Sequence, residues 1–182
     1  MSISWETVAT AAATAVLVTL VVEEVAKPRL EARKERHLET LRTRRDLVTA
    51  VVTLTMAARM SVTELPGGAE DQLRRRWRDE QQRHHGRLQT LVTELFDNLG
   101  RYAAAYPEPI RRDLIRYVVC MRGVMLSSRP QHVQADILRS LGRPAAAMVA
   151  ASGWRPGAAS RARAELIALI ERTEATGDAA PR

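Results

Sequence analysis

Residues 7–22 read TVATAAATAVLVTLVV, sixteen positions without a charge, and residues 27–36 read KPRLEARKER. An apolar run followed by a basic collar is the layout of a membrane-spanning helix whose C-terminal side stays in the cytoplasm. Lys27, Arg29, Arg33, Lys34 and Arg36 form the collar, and no basic residue precedes the run. The charge asymmetry predicts a single-pass protein with its N-terminus outside and its bulk in the cytoplasm. At 1.5 Å per residue the run reaches only about 24 Å, against a hydrocarbon core of about 30 Å. Spanning therefore extends through Val25 and Ala26, with Glu23 and Glu24 at the headgroups and Trp5 anchoring the opposite interface.

Two other readings compete. A cleaved signal peptide needs a basic n-region, and this segment carries Glu6 there instead, with no cleavage site before Glu23. A buried helix of a soluble bundle or oligomer is the bland alternative, because alanine and threonine make insertion only marginally favourable. Small size has a positive use in lipid. Thr7, Ala11 and Ala15, with Thr14 alongside, recur at helical spacing and form a ridge that permits close helix–helix approach, so self-association is expected.

The short N-terminal span leading into Lys27-Pro28-Arg29-Leu30-Glu31-Ala32-Arg33-Lys34 resembles uncharacterised single-pass membrane-anchored proteins of high-GC actinobacteria. The resemblance covers about the first fifty residues. It implies an anchor and no activity.

Composition points to an all-α fold. Aromatic residues are 4% of the chain, with a single Phe, so the core is built from Leu, Val, Ile, Ala and Met. No Asn-Gly or Asp-Gly hairpin joins strand-like runs. The net charge of +7 implies an anionic neighbour, whether lipid headgroup, nucleic acid or acidic protein. Cys120 is the sole cysteine, which excludes an intramolecular disulfide and suits a reducing compartment.

Proline and glycine divide the chain into an anchor (1–26), a long juxtamembrane helix (27–64), a helical bundle (65–176) and a mobile tail (177–182). Leu30, Leu38, Leu41, Val48, Val51 or Val52, and Val62 follow a loose helical period in the long helix, interrupted by Arg44 and Arg45. Pro66-Gly67-Gly68 ends it. Leu73, Trp77, His84, Leu88, Leu91, Leu95 and Leu99 mark the stripe of a second helix. Tyr106-Pro107-Glu108-Pro109 is a turn. Residues 110–126 are apolar on most sides, which places that helix in the middle of the bundle. Ser127-Ser128-Arg129-Pro130 offers a stop and a new N-cap. A fourth helix ends at Gly142, Pro144 opens a short Ala-rich segment, and residues 158–175 form a last amphipathic helix. Short links favour an antiparallel bundle.

No catalytic, cofactor or metal signature stands out. Glu80 with His84, and His132 with Asp136, each sit one helical turn apart, yet no third ligand is recognisable. Cys120 lies among Val118, Val119 and Met121, the surroundings of an inert buried thiol. Phosphate loops and nucleophile elbows are absent. Arg74, Arg75, Arg76 and Arg78 surround Trp77, a combination that pairs with phosphate and stacks on bases. Glu70, Asp71, Asp79 and Glu80 balance that cluster, and Trp77 falls on the apolar stripe. The expectation is therefore a non-enzymatic, membrane-anchored interaction module that self-associates or engages a protein partner. Lys27, Arg29, Arg33, Lys34 and Arg36 would meet anionic headgroups. A soluble protein binding nucleic acid through residues 74–78 is the alternative.

Overall fold

The computed structural model describes residues 27–63, 68, 70–151 and 156–178. Among these there are six helices and no strand, the all-α class expected from composition. They are α1 (Lys27–Val62), α2 (Asp71–Asp97), α3 (Leu99–Ala104), α4 (Glu108–Leu126), α5 (Gln131–Ala151) and α6 (Pro156–Asp178). No helix among the described residues is long and apolar enough to cross a membrane. The span expected over Thr7–Val22 lies outside the described residues, as does the end of the tail.

The chain divides into two compact units, Met1–Arg42 and Thr43–Arg182. In the first, residues 27–42 form the opening turns of α1, and nearly every described side chain there is exposed. Leu30, Leu38 and Leu41 belong to this solvated stretch, with Leu30 64% exposed. The loose period read from the sequence therefore packs only in its later part, where Val51 is buried and Val48 and Val62 are partly buried against the core.

In the second unit the later part of α1 buries Leu47, Val51, Leu54, Ala58 and Ser61. Their 4-3-4-3 spacing keeps one narrow stripe on the core side. Gly68, at φ +94°, makes the turn into α2, a left-handed conformation that a Cβ would resist. Asp71 in the first turn of α2 suits the positive end of the helix.

The buried line of α2 is His85, Leu88, Val92 and Leu95. Leu88 and Leu95 of the sequence stripe lie on this line, whereas His84 and Leu91 are only half-buried and Leu73 is exposed. Asn98 breaks the run before Leu99. Its amide Nδ2 donates to Glu94 O at 2.8 Å, a carbonyl that also accepts the Asn98 backbone N–H at 3.1 Å, so side chain and main chain together close the helix end. The short α3 then turns the chain so that Tyr102, Ala103 and Tyr106 face inward.

Pro107 caps α4, its carbonyl receiving the N–H groups of Ile110 and Arg111, each at 3.0 Å. α4 packs against α2, α3, α5 and α6 and buries Leu114, Tyr117, Val118, Met121 and Val124. That central position agrees with its apolar composition.

α5 departs from expectation. It runs unbroken through Gly142 and Pro144 to Ala151. Pro144 removes one N–H, the partner of the Ser140 carbonyl, and costs the helix about 3 kcal/mol by itself. Burial of Leu138, Leu141, Ala145, Met148 and Val149 in the core offsets that loss. α5 and α6 pair extensively, and Ala162, Leu166 and Ile170 supply the α6 side. The N-cap expected within residues 127–130 falls on the last of these residues. Pro130 holds that position, while Ser127 Oγ donates back to Val124 O at 2.7 Å and closes α4.

Candidate functional site

Lys27, Arg29, Arg33, Lys34 and Arg36, the expected membrane-surface group, are all exposed on the opening turns of α1, interspersed with exposed Glu31, Glu35 and Glu39. The expected packing ridge of Thr7, Ala11, Thr14 and Ala15 lies outside the described residues. Arg44, which continues the basic run in the sequence, has a different task. Its Nε donates to Ala105 O at 2.8 Å, at the C-terminus of α3, and its guanidinium stands 4.9 Å over the ring of Tyr106. The cation meets both a helix-end carbonyl and an aromatic face. Tyr106 is buried, and its hydroxyl pKa is pushed up to about 12 by that burial, with Arg44 opposing the rise.

The arginine cluster takes the form of a solvated helix surface. Arg74, Arg75, Arg76 and Arg78 are exposed, and Arg74 Nη1 lies 3.9 Å from Asp71 Oδ1. Successive helical positions point about 100° apart, so these arginines are spread around α2 and do not make one basic stripe. Trp77 is half-buried, and its indole Nε1 donates to Thr63 O at 3.3 Å. Gln81 Nε2 donates to the same carbonyl at 3.2 Å. Trp77 thus helps to fasten α2 to the end of α1.

Among the described residues no group of three His, Cys, Asp or Glu side chains is placed to hold a metal. His84 Nε2 sits 3.4 Å from Glu80 Oε1, and the other oxygen of Glu80 meets Arg83 at 2.9 Å. Asp136, one turn from His132, pairs instead with Arg139 at 2.5 Å. Burial pushes the Cys120 thiol up to about 11, with Glu174 adding to the shift, so the thiolate is scarce at neutral pH.

Sequence reasoning missed two apolar surfaces. On α4, Ile115 and Val119 are exposed one turn apart, and Leu126 at the end is 77% exposed. Beside them a groove of about 360 Å³ runs along α4 and α6, lined by Val119, Cys120, Val124 and Thr173 between Arg116 and Arg129. Arg116 bridges Glu174 at 2.8 Å and Glu171 at 3.5 Å, and the bond to Glu174 leads in raising its pKa. Arg129 Nη2 donates to Thr173 O at 3.1 Å and separates this groove from a second, of about 330 Å³, walled by Val133, Ile137 and Leu169. On α1, Val52, Met56 and Met60 are exposed at four-residue intervals, facing away from the buried stripe. A pattern of apolar residues on every side of α4 shows that the helix is central. It does not show which side lacks a neighbour.

No protein-family model, curated protein or solved structure matches the chain.

Proposed function

We propose that this protein is a membrane-tethered helical interaction module that self-associates through its N-terminal segment. The observation that carries the reading is the sixteen-residue uncharged run with five basic side chains between Lys27 and Arg36 on its C-terminal side, all exposed on α1. Near an anionic leaflet each such residue contributes about 1 kcal/mol, within a Debye length of the surface. The apolar positions left open on α4 and on the later part of α1 supply contact surface for a second copy or a protein partner. Methionines at 56 and 60 adapt readily to a facing surface. Tethering raises the local concentration of the bundle, so even a weak contact becomes populated.

The test is fractionation of the full chain followed by alkaline extraction of the membranes. Retention in the extracted pellet supports an integral span, and recovery in the soluble fraction after lysis overturns the reading. Self-association is checked on the detergent-solubilised protein. Ala11→Ile with Ala15→Ile should block close approach and shift cross-linked species toward monomer.

A further inference from the structure

About three turns of α4 lie open between α2 and α6. Ile115, Val119, Gly123 and Leu126 are exposed at spacings of four, four and three, which keeps them on one face, opposite the buried Leu114, Tyr117 and Met121. One edge of this face meets α2, where the Arg122 guanidinium stands 4.4 Å over the ring of Phe96. The other edge meets α6, where Arg116 bridges Glu174 and Glu171. The groove of about 360 Å³ runs along that second edge, with Gly123 in its lining. A Cβ at Gly123 would meet nothing within 4 Å, so the surface dips there and leaves space for a side chain from outside.

Charge around the face is unbalanced. Arg112 is exposed just before Ile115, and Arg129 is half-buried beyond Leu126, its Nη2 donating to Thr173 O at 3.1 Å. Among the described residues Arg112, Arg122 and Arg129 have no carboxylate within ion-pair distance. Both acids on the α6 side are held by Arg116, and the two acids of α4, Glu108 and Asp113, pair with Arg111 and Arg163. On α2 it is Phe96 that turns toward Arg122; Glu94 and Asp97 stand about 160° and 100° around the helix from it.

Three unpaired cations beside open apolar surface call for carboxylates beside an apolar stripe. A second copy fits poorly, since it would bring the same arginines against these on a chain of net charge +7. A flat lipid surface would touch Val119 and Leu126 and leave the groove over Gly123 unfilled. We infer that this face receives an acidic amphipathic helix of a partner protein, whose apolar side chains enter over Gly123 and whose carboxylates meet Arg112, Arg122 and Arg129. The inference rests on the interaction-module reading for the existence of a partner, and it needs no membrane tether.

The experiment selects peptides from a displayed library of helices randomised on one face, against the full chain in phosphatidylcholine nanodiscs, with empty nanodiscs as the counter-selection. If the chain proves soluble, the same selection runs in buffer, so loss of the tether leaves the test intact. Enriched peptides should carry leucine-like residues at i, i+3 or i+4, and i+7, flanked by Asp and Glu. Gly123→Leu fills an open position with a better helix former, so its urea midpoint should be no lower than that of the wild type. It should nevertheless weaken the leading peptide by at least about tenfold. Arg129→Gln should weaken it by about threefold, the scale of an ion pair open to water. No enrichment, a consensus flanked by Lys or Arg, or full affinity in Gly123→Leu would overturn the proposal. Without peptide enrichment, binding of phosphatidylglycerol vesicles that Gly123→Leu abolishes would assign the face to lipid, and self-association that Gly123→Leu abolishes would assign it to a second copy; either result overturns the partner helix.

Discussion

Gly142 on α5 lies against Thr55 on α1 with no room for a methyl group between them. A Cβ at position 142 would overlap Thr55 Oγ1 and stand 3.0 Å from its Cβ and 3.1 Å from its Cγ2. The threonine cannot simply turn away, because its hydroxyl is held by Val51 O at 2.7 Å. The two helices approach to the distance that a missing side chain allows.

Gly142→Ala should therefore destabilise the bundle, by about 1–3 kcal/mol, the usual range for overpacking. That loss would outweigh the gain in helix propensity of about 1 kcal/mol. Thr55→Ala in the same chain should recover part of the loss, since it removes Oγ1 and Cγ2 but leaves the tight Cβ. Urea unfolding of the two single variants and the pair gives the coupling directly. A fully additive pair would mean that the helices separate rather than clash.

Asp113 and Arg163 should respond unequally to truncation. Asp113 on α4 is 4% exposed and accepts a hydrogen bond from Arg163 Nε on α6, whose own side chain is more than one-third exposed. Arg163→Ala strands a buried carboxylate and should cost about 3 kcal/mol. Asp113→Ala leaves a guanidinium that water can reach and should cost less. Denaturation midpoints at neutral pH settle the order.

Stability should fall on mild acidification in a way that depends on His85. Burial lowers its pKa below the ordinary 6.5, so the unfolded chain binds the proton more readily than the folded one. The linkage term is zero well above pH 6.5 and turns unfavourable as pH drops through 6.5 toward the folded pKa. Urea midpoints measured at pH 7.5 and at pH 5.0 should therefore fall further for the wild type than for His85→Gln. The other titrating groups are common to both chains and cancel in that comparison.

Cys120 should be nearly inert to alkylation at pH 8 in the folded protein. Its thiol is buried and its pKa is raised to about 11. Labelling should then track unfolding, becoming fast only in denaturant. Rapid modification under native conditions would show that the groove beside Val119 and Val124 opens to solvent.

The amino-acid sequence was sufficient for the class and for several of its breaks. Few aromatics, an Ala- and Leu-rich palette and the absence of hairpin turns can only be spent on helices. Gly68 and Pro107 act through their own backbone torsions, whatever lies around them. Choices between equally apolar positions were settled by tertiary packing. Leu38 and Leu47 are the same residue type on one helix, yet the first is exposed and the second buried, because among the described residues the core packs only beside the second. His85 rather than His84 faces inward for the same reason. Gly142 and Pro144 read as a helix end, and the core they help to bury carries the helix past them. Arg44 met Tyr106 and Ala105, partners some sixty positions away that no local pattern could announce. Torsional preferences are written in each residue; burial and charge pairing belong to whichever surfaces the folded chain brings together.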